Sequence, residues 1–269
     1  MYLADYHVHS TVSPDGSASM MEMAEAAIAA GFQELAFTDH LGLGAWGGGA
    51  LRQDYDWSPM IREFSEAQAS CGERIALRLG VELGEVPRSP ELAERLLAKA
   101  PPLDFIIASI HGLWGRFQWK DLMLLRERDE AECREEIATY LEVVLAAAKW
   151  GKFSVLGHLT LPLRYMNESR GFHMSFDGFE AEVSEIFRVL IENGCGIEIN
   201  TNRGREPLPG AKWLRLYRSL GGEIITLGSD AHSTKKVGRA VQKGQTLLRE
   251  CGFTQFCTFD RLRPVWHTL

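Results

Sequence analysis

The segment Leu3-Ala4-Asp5-Tyr6-His7-Val8-His9 sets the reading of this chain. Residues 3–8 read as a β-strand that delivers His7 and His9 where it runs out. Two apart on a strand, both rings project to the same side. An amphipathic helical pattern follows over 18–30 and stops at Gly31. The unit then repeats. Strands are predicted at 35–38, 75–81, 105–110, 155–159, 197–200 and 224–227, followed by helices at 60–69, 90–99, 130–150, 179–192, 212–219 and 238–249. Seven strand–helix units without a Pro/Gly/Ser linker favour one closed or nearly closed parallel barrel, an α/β fold occupying residues 1–269 as a single domain. A doubly wound open sheet is the alternative. The length of 269 residues suits the barrel, which typically needs about 250.

Each strand ends in related chemistry. After His7 and His9, Asp15 follows in the next loop; the later strands end in Thr38-Asp39-His40, Gly80-Val81-Glu82, Ser109-Ile110-His111, Gly157-His158, Glu198-Ile199-Asn200-Thr201-Asn202 and Ser229-Asp230-Ala231-His232. In a parallel barrel all strand C-termini share one face, where active sites are built. Six of the eight histidines should therefore converge there with Asp15, Glu82 and Asp230. Imidazole and carboxylate oxygen are the ligand set of zinc, manganese and iron. Nine such ligands exceed the three protein ligands of a typical catalytic zinc site, so two or three divalent metals are expected. Asp39 is read as orienting the His40 ring, and His173 and His267 as surface or loop residues off the pattern.

The balance of 29 Lys plus Arg against 36 Asp plus Glu, a formal charge of −7, argues against long nucleic acid or an anionic membrane as partner. A small anionic ligand is still allowed, because bound metals reverse the field locally. The five cysteines, Cys71, Cys133, Cys195, Cys251 and Cys257, are scattered and form no CxxC pair, so neither a disulfide framework nor a thiolate zinc site is expected. With no apolar run near about 18 residues and no signal-peptide pattern, the expected location is the cytoplasm.

The motifs His7-Val8-His9-Ser10, Asp15-Gly16, Thr38-Asp39-His40, Glu82, Ser109-Ile110-His111, Gly157-His158 and Ser229-Asp230-Ala231-His232 resemble the polymerase and histidinol phosphatase (PHP) superfamily across almost the whole chain. Within it, the size and the segment Glu198-Ile199-Asn200-Thr201 resemble the monofunctional L-histidinol-phosphate phosphatases. The resemblance implies a distorted (β/α)7 TIM-like barrel with a trinuclear centre of zinc, iron or manganese. His7, His9, Glu82 and Asp230 would hold the first metal. Glu82 would bridge to a second that also takes His111 and His158, and Asp15, His40 and His232 would hold the third. Two segments depart from the family pattern: Thr160 stands where many relatives carry aspartate, and Asn202-Arg203-Gly204-Arg205 replaces a common Ser-Gly-Leu-Arg. These departures bear on the substrate rather than on the metals.

The expected activity is hydrolysis of a small phosphorylated metabolite, L-histidinol phosphate, by in-line attack of a metal-bridging hydroxide. Asp230 or His232 is the candidate proton donor to the leaving alkoxide. Arg164, Arg203 and Arg205 lie just past strands, in loops where the family's phosphate-binding arginines occur, and a guanidinium fork suits phosphate. The loop 42–49, with Trp46, lacks the pattern of a nucleotide phosphate cradle and is read as a lid. Trp114 and Trp119 are placed to stack on an imidazole, while Asp54, Asp56 and Asp121 are unranked candidates for a cationic amine. The competing readings are a PHP phosphoesterase acting on nucleotides or oligonucleotide ends, an amidohydrolase, which also opens with HxH on a barrel strand, and a barrel kept as a structural module.

Overall fold

The computed structural model describes residues 1–44, 49–126 and 129–269. Seven parallel strands form a nearly closed barrel in chain order: β1 (Ala4–Val8), β2 (Glu34–Phe37), β3 (Ala76–Gly84), β4 (Phe105–Ser109), β5 (Val155–Leu156), β6 (Gly196–Asn200) and β7 (Ile225–Gly228). The intervening helices are α1 (Met20–Ala29), α2 (Ser58–Cys71), α3 (Pro90–Leu97), α4 (Glu130–Trp150), α5 (Glu180–Glu192) and α6 (Ala211–Ser219), with α7 (Val241–Glu250) after the last barrel strand. The ring closes through backbone bonds from His9 to the Ala231 carbonyl (2.9 Å) and from Ala231 to the His7 carbonyl (3.2 Å). Apart from Ala76 and Arg78 on β3, every barrel-strand residue is buried, as expected where a parallel sheet is covered on both faces.

Local chemistry sets the helix limits. Ser19 and Glu22 form a reciprocal capping box on α1, Asp129 accepts from Glu132 N at the start of α4, and Gly151 ends α4 at φ 64°. All seven sequence-expected strands are present with small shifts in boundary. The largest shifts are in the third, which runs on to Gly84 rather than 81, and the fifth, which stops at Leu156 rather than 159 because the chain turns at His158, whose φ is 23°.

Two features go beyond the sequence reading. A short strand, His40–Gly42, pairs in parallel with the end of β3 and places His40 opposite Glu82. After α7 an antiparallel hairpin, β8 (Gln255–Asp260) and β9 (Arg263–Thr268), packs on the barrel: the Phe259 carbonyl accepts from the Tyr6 hydroxyl, and Phe259 N donates back to it. His267 is accordingly no loop residue. It sits on β9, half-buried, with its ring stacked on Tyr2 and Nε2 2.8 Å from Thr258 Oγ1. His173 is exposed. Of the loop 42–49, residues 45–48, including Trp46, lie outside the described residues.

Candidate metal centre

The strand ends do converge. Glu82, 1% exposed at the end of β3, lies at the middle of five imidazoles. Its Oε1 is 2.9 Å from His158 Nε2, 3.3 Å from His111 Nε2 and 3.5 Å from His7 Nε2. Its Oε2 is 2.8 Å from His40 Nδ1 and 3.5 Å from His9 Nε2. Asp230 Oδ1 stands 3.6–3.9 Å from His7, His9 and His232, and Asp15 Oδ2 lies 2.8 Å from His232 Nε2 and 3.7 Å from His40 Nε2. All nine residues singled out as candidate ligands are thus brought to one face of the barrel.

Among the described residues three groups of donor atoms are close enough to share an ion: His7, His9 and Asp230; Glu82, His111 and His158; and His9, His40 and His232. The third joins His9 to the pair that the family resemblance groups with Asp15, and Asp15 touches the same two rings. The chemistry fits divalent metal ions. His7 Nε2 and His9 Nε2 are buried without a hydrogen-bond partner. They face carboxylate oxygens at 3.5–3.9 Å, long for a hydrogen bond but suited to donors grouped around an ion about 2.0–2.2 Å from each. Orphaned polar atoms at this depth are costly unless something binds them.

Mutual electrostatics hold the carboxylates ionised. Burial would raise the Glu82 pKa, but His7, His40 and His111 hold it well below the ordinary value. Asp230 is likewise held low against burial, by His7 and Arg164. For His9, burial and the neighbouring His40 and His232 push the pKa well down, so this ring is neutral and ready to donate a lone pair. His40 is pushed the other way against burial, to about 9, chiefly by Glu82 and Asp15.

A second layer of groups fixes these rings. Glu198, fully buried on β6, accepts from His7 Nδ1 at 2.7 Å and from His158 N at 2.9 Å, so one carboxylate orients a donor in each of two groups. Gly228 opposite must lack a side chain, since a Cβ there would collide with Glu198 and with His7. Asp39 does not orient His40 as the sequence reading had it. It accepts from the amides and hydroxyls of Ser10 and Ser13, and Ser13 Oγ in turn contacts His9 Nδ1 (3.2 Å) and His40 N (3.0 Å). Glu85 accepts from His111 N at 2.9 Å. The sequence signal for these groups was only an acid near a strand end. Glu198→Gln keeps an acceptor but removes the charge, and should weaken metal binding about 10–100-fold in a chelator competition titration. An unchanged affinity would show that His7 needs no anionic partner.

Backbone strain gathers here as well. Glu85, His158, Asn202, Arg203 and Asp230 all have positive φ without being glycine. Such residues cost about 1–3 kcal/mol each and are retained where geometry matters.

A cavity of about 150 Å³ opens over the centre, lined by ligands and by Arg164, Arg203, Asp121, Tyr165, Leu161 and Met123. Arg164 is 8% exposed, and its guanidinium forks onto Asp230 Oδ2 (3.0 Å), Asn202 Oδ1 (2.8 Å) and Asn200 Oδ1 (3.2 Å). Arg205 stands apart, paired with Glu168 on the surface. Asp54 pairs with Lys99 and Asp56 accepts from Ser58 N, both on the outside, so Asp121 is the one of the three candidate acids at the cavity. Trp119 lines a narrow cleft beside His111, and Trp114 packs edge-on against it. Thr160 is buried beside the short helix Leu161–Leu163.

A parallel barrel with such a cluster at its strand ends defines a class, and the sequence agrees: residues 5–202 match the PHP domain family, to which the chain belongs. It is 28% identical over 264 residues to the histidinol-phosphatase of Lactococcus lactis subsp. lactis (strain IL1403), covering 96% of this chain and 95% of that protein. It is also 28% identical over 257 residues to a Deinococcus radiodurans protein named "Probable histidinol-phosphatase", covering 93% and 94%. The crystal structure of the Lactococcus lactis histidinol phosphate phosphatase, complexed with zinc, L-histidinol and phosphate, superposes with a TM-score of 0.79 at 26% identity and covers 98% of both chains. Among the described residues no helix is long and apolar enough to cross a membrane.

Proposed function

We propose that this chain is a metal-dependent phosphomonoesterase that hydrolyses L-histidinol phosphate to L-histidinol and phosphate. The observation that carries this reading is the convergence of nine metal-type donors at one end of the barrel, beneath a cavity that seven of them line together with Arg164 and Arg203. The Lactococcus lactis relative, whose structure holds zinc, L-histidinol and phosphate, supports the substrate.

His7, His9, Glu82 and Asp230 would hold one ion, Glu82, His111 and His158 a second, and Asp15, His40 and His232 a third. When bound, such ions neutralise phosphoryl oxygens and bring the pKa of water towards about 7. The chain's own groups do the rest. Arg164 and Arg203 orient the phosphoryl group, Arg164 being already fixed by Asp230, Asn200 and Asn202. Of the two candidate proton donors, His232 lines the cavity and is the more open (21% against 11% side-chain exposure), but its Nε2 would be held by the third ion and its Nδ1 lies 3.0 Å from the Asp230 carbonyl, so the proton for the leaving alkoxide comes from water entering the cavity. Asp230 Oδ2 is held by Arg164.

The test is phosphate release from L-histidinol phosphate and from nucleoside monophosphates, using metal-analysed protein before chelation, after it, and after zinc, manganese or iron is restored. Histidinol phosphate should be the preferred substrate, with activity lost on chelation and regained with metal. Faster release from the nucleotides would replace this reading with a nucleotide phosphoesterase. Full activity in protein free of transition metal would remove the metal mechanism.

A further inference from the structure

The cavity over the centre is lined by side chains of opposite charge. Arg164 and Arg203 line it with Asp230 and His232, while Asp121 lines it next to His111. Asp121 arrives there because the small hairpin after β4 folds back, pairing Gly112 with Asp121, and because Leu122 N donates to the His111 carbonyl at 2.7 Å. Its Oδ1 accepts from Met123 N at 2.7 Å. No Lys, Arg or His among the described residues pairs with Asp121: His111 is engaged by Glu82 and Glu85, and Arg164 by Asp230. Among the described residues the site therefore holds a half-buried carboxylate with no cation of its own, in a pocket that two arginines also line.

We propose that Asp121 binds the substrate's ammonium group and makes the site selective for phosphate monoesters of amino alcohols. This deepens the phosphomonoesterase reading and rests on it. An ester bearing both charges can enter in one sense, with phosphate towards the arginines and ammonium towards Asp121; the reverse orientation sets like charges together. Tyr165, Leu161 and Met123 supply apolar wall for the rest of the alcohol. An ester lacking the amine leaves the Asp121 charge unpaired, so it is discriminated against through a lost charge-assisted hydrogen bond.

Asp121→Asn keeps the acceptor for Met123 N and removes only the charge. The measurement is the ratio of kcat/KM for L-histidinol phosphate to that for imidazolylpropyl phosphate, the same ester without its amine. In the variant, with matched metal content, this ratio should fall about 10–100-fold. Calorimetric titration of L-histidinol into the metal-loaded proteins should show a Kd raised by a similar factor. A ratio and Kd within twofold of the parent would overturn the role of Asp121. Asp121→Ser, which also keeps a turn-capping oxygen, provides the same comparison if the asparagine variant does not fold. Should the parent protein leave L-histidinol phosphate untouched, the substrate assignment fails separately; the Asp121 role is then decided by the same ratio for phosphoethanolamine over ethyl phosphate.

Discussion

Glu82→Gln should empty much of the metal centre and reduce kcat by about a thousandfold or more. Its oxygens lie 2.8–3.5 Å from ring nitrogens of His7, His9, His40, His111 and His158, so it reaches imidazoles of all three donor groups. Glutamine preserves shape and one acceptor but supplies no charge, and its amide would point N–H groups at rings that must offer lone pairs. A shared anionic ligand stabilises several kcal/mol of transition-state charge through the ions it holds, and each 1.4 kcal/mol corresponds to about tenfold in rate. Elemental analysis of the variant should show at least one metal fewer per chain than the parent. A full metal complement with near-parent activity would remove Glu82 from the centre. The folded variant should also be more sensitive to acid. Without Glu82 the imidazoles lose the partner that favours their protonation, while their positive charges still repel one another as pH falls.

Arg164→Ala should act on both binding and stability. The fork onto Asp230, Asn200 and Asn202 holds the guanidinium rigid at the cavity, and loss of one such preorganised donor typically lowers catalysis about 10²–10³-fold. Raised KM for the phosphate ester should account for part of the loss; an unchanged KM would take Arg164 out of the phosphate site. Arg164→Lys should recover only a fraction, since a point charge cannot bridge three acceptors. The alanine variant also leaves Asp230 buried beside an empty space. Breaking a buried pair costs about 3–5 kcal/mol, which thermal unfolding of metal-stripped protein should register as a lowered Tm.

Most of the site was legible because its residues sit at strand ends. Once 3–8 and the later runs are read as parallel strands, topology alone brings His7, His111 and Asp230 together. Less legible were the groups whose role depends on which way a side chain turns. Glu198 and Asp39 differ little in sequence context from Glu82, yet both point away from the cavity, to His7 and to Ser13 respectively. Arg203 and Arg205 are two residues apart, but positive φ at Asn202 and Arg203 turns one to the cavity and leaves the other with Glu168. The C-terminal hairpin gave no turn signal. Its tight turn places Arg261 and Leu262 at positive φ, where glycine or asparagine would ordinarily mark it, and β9 carries Val265 and Trp266 as exposed residues.

Barrel closure through Ala231 has a consequence for the order of chain synthesis. β1 is made before the rest of the barrel, yet Asp5 finds its Ser229 partner only 224 residues later, and Tyr6 meets Phe259 later still. A nascent chain halted after β6 owns His7, His9, Glu82, His111 and His158 but neither Asp230 nor His232. Native contacts this distant in sequence form slowly, after nearer units have collapsed. Completion of the metal centre is thus a late event that reports a finished barrel, and a full metal complement is earned only by chains that have joined their two ends.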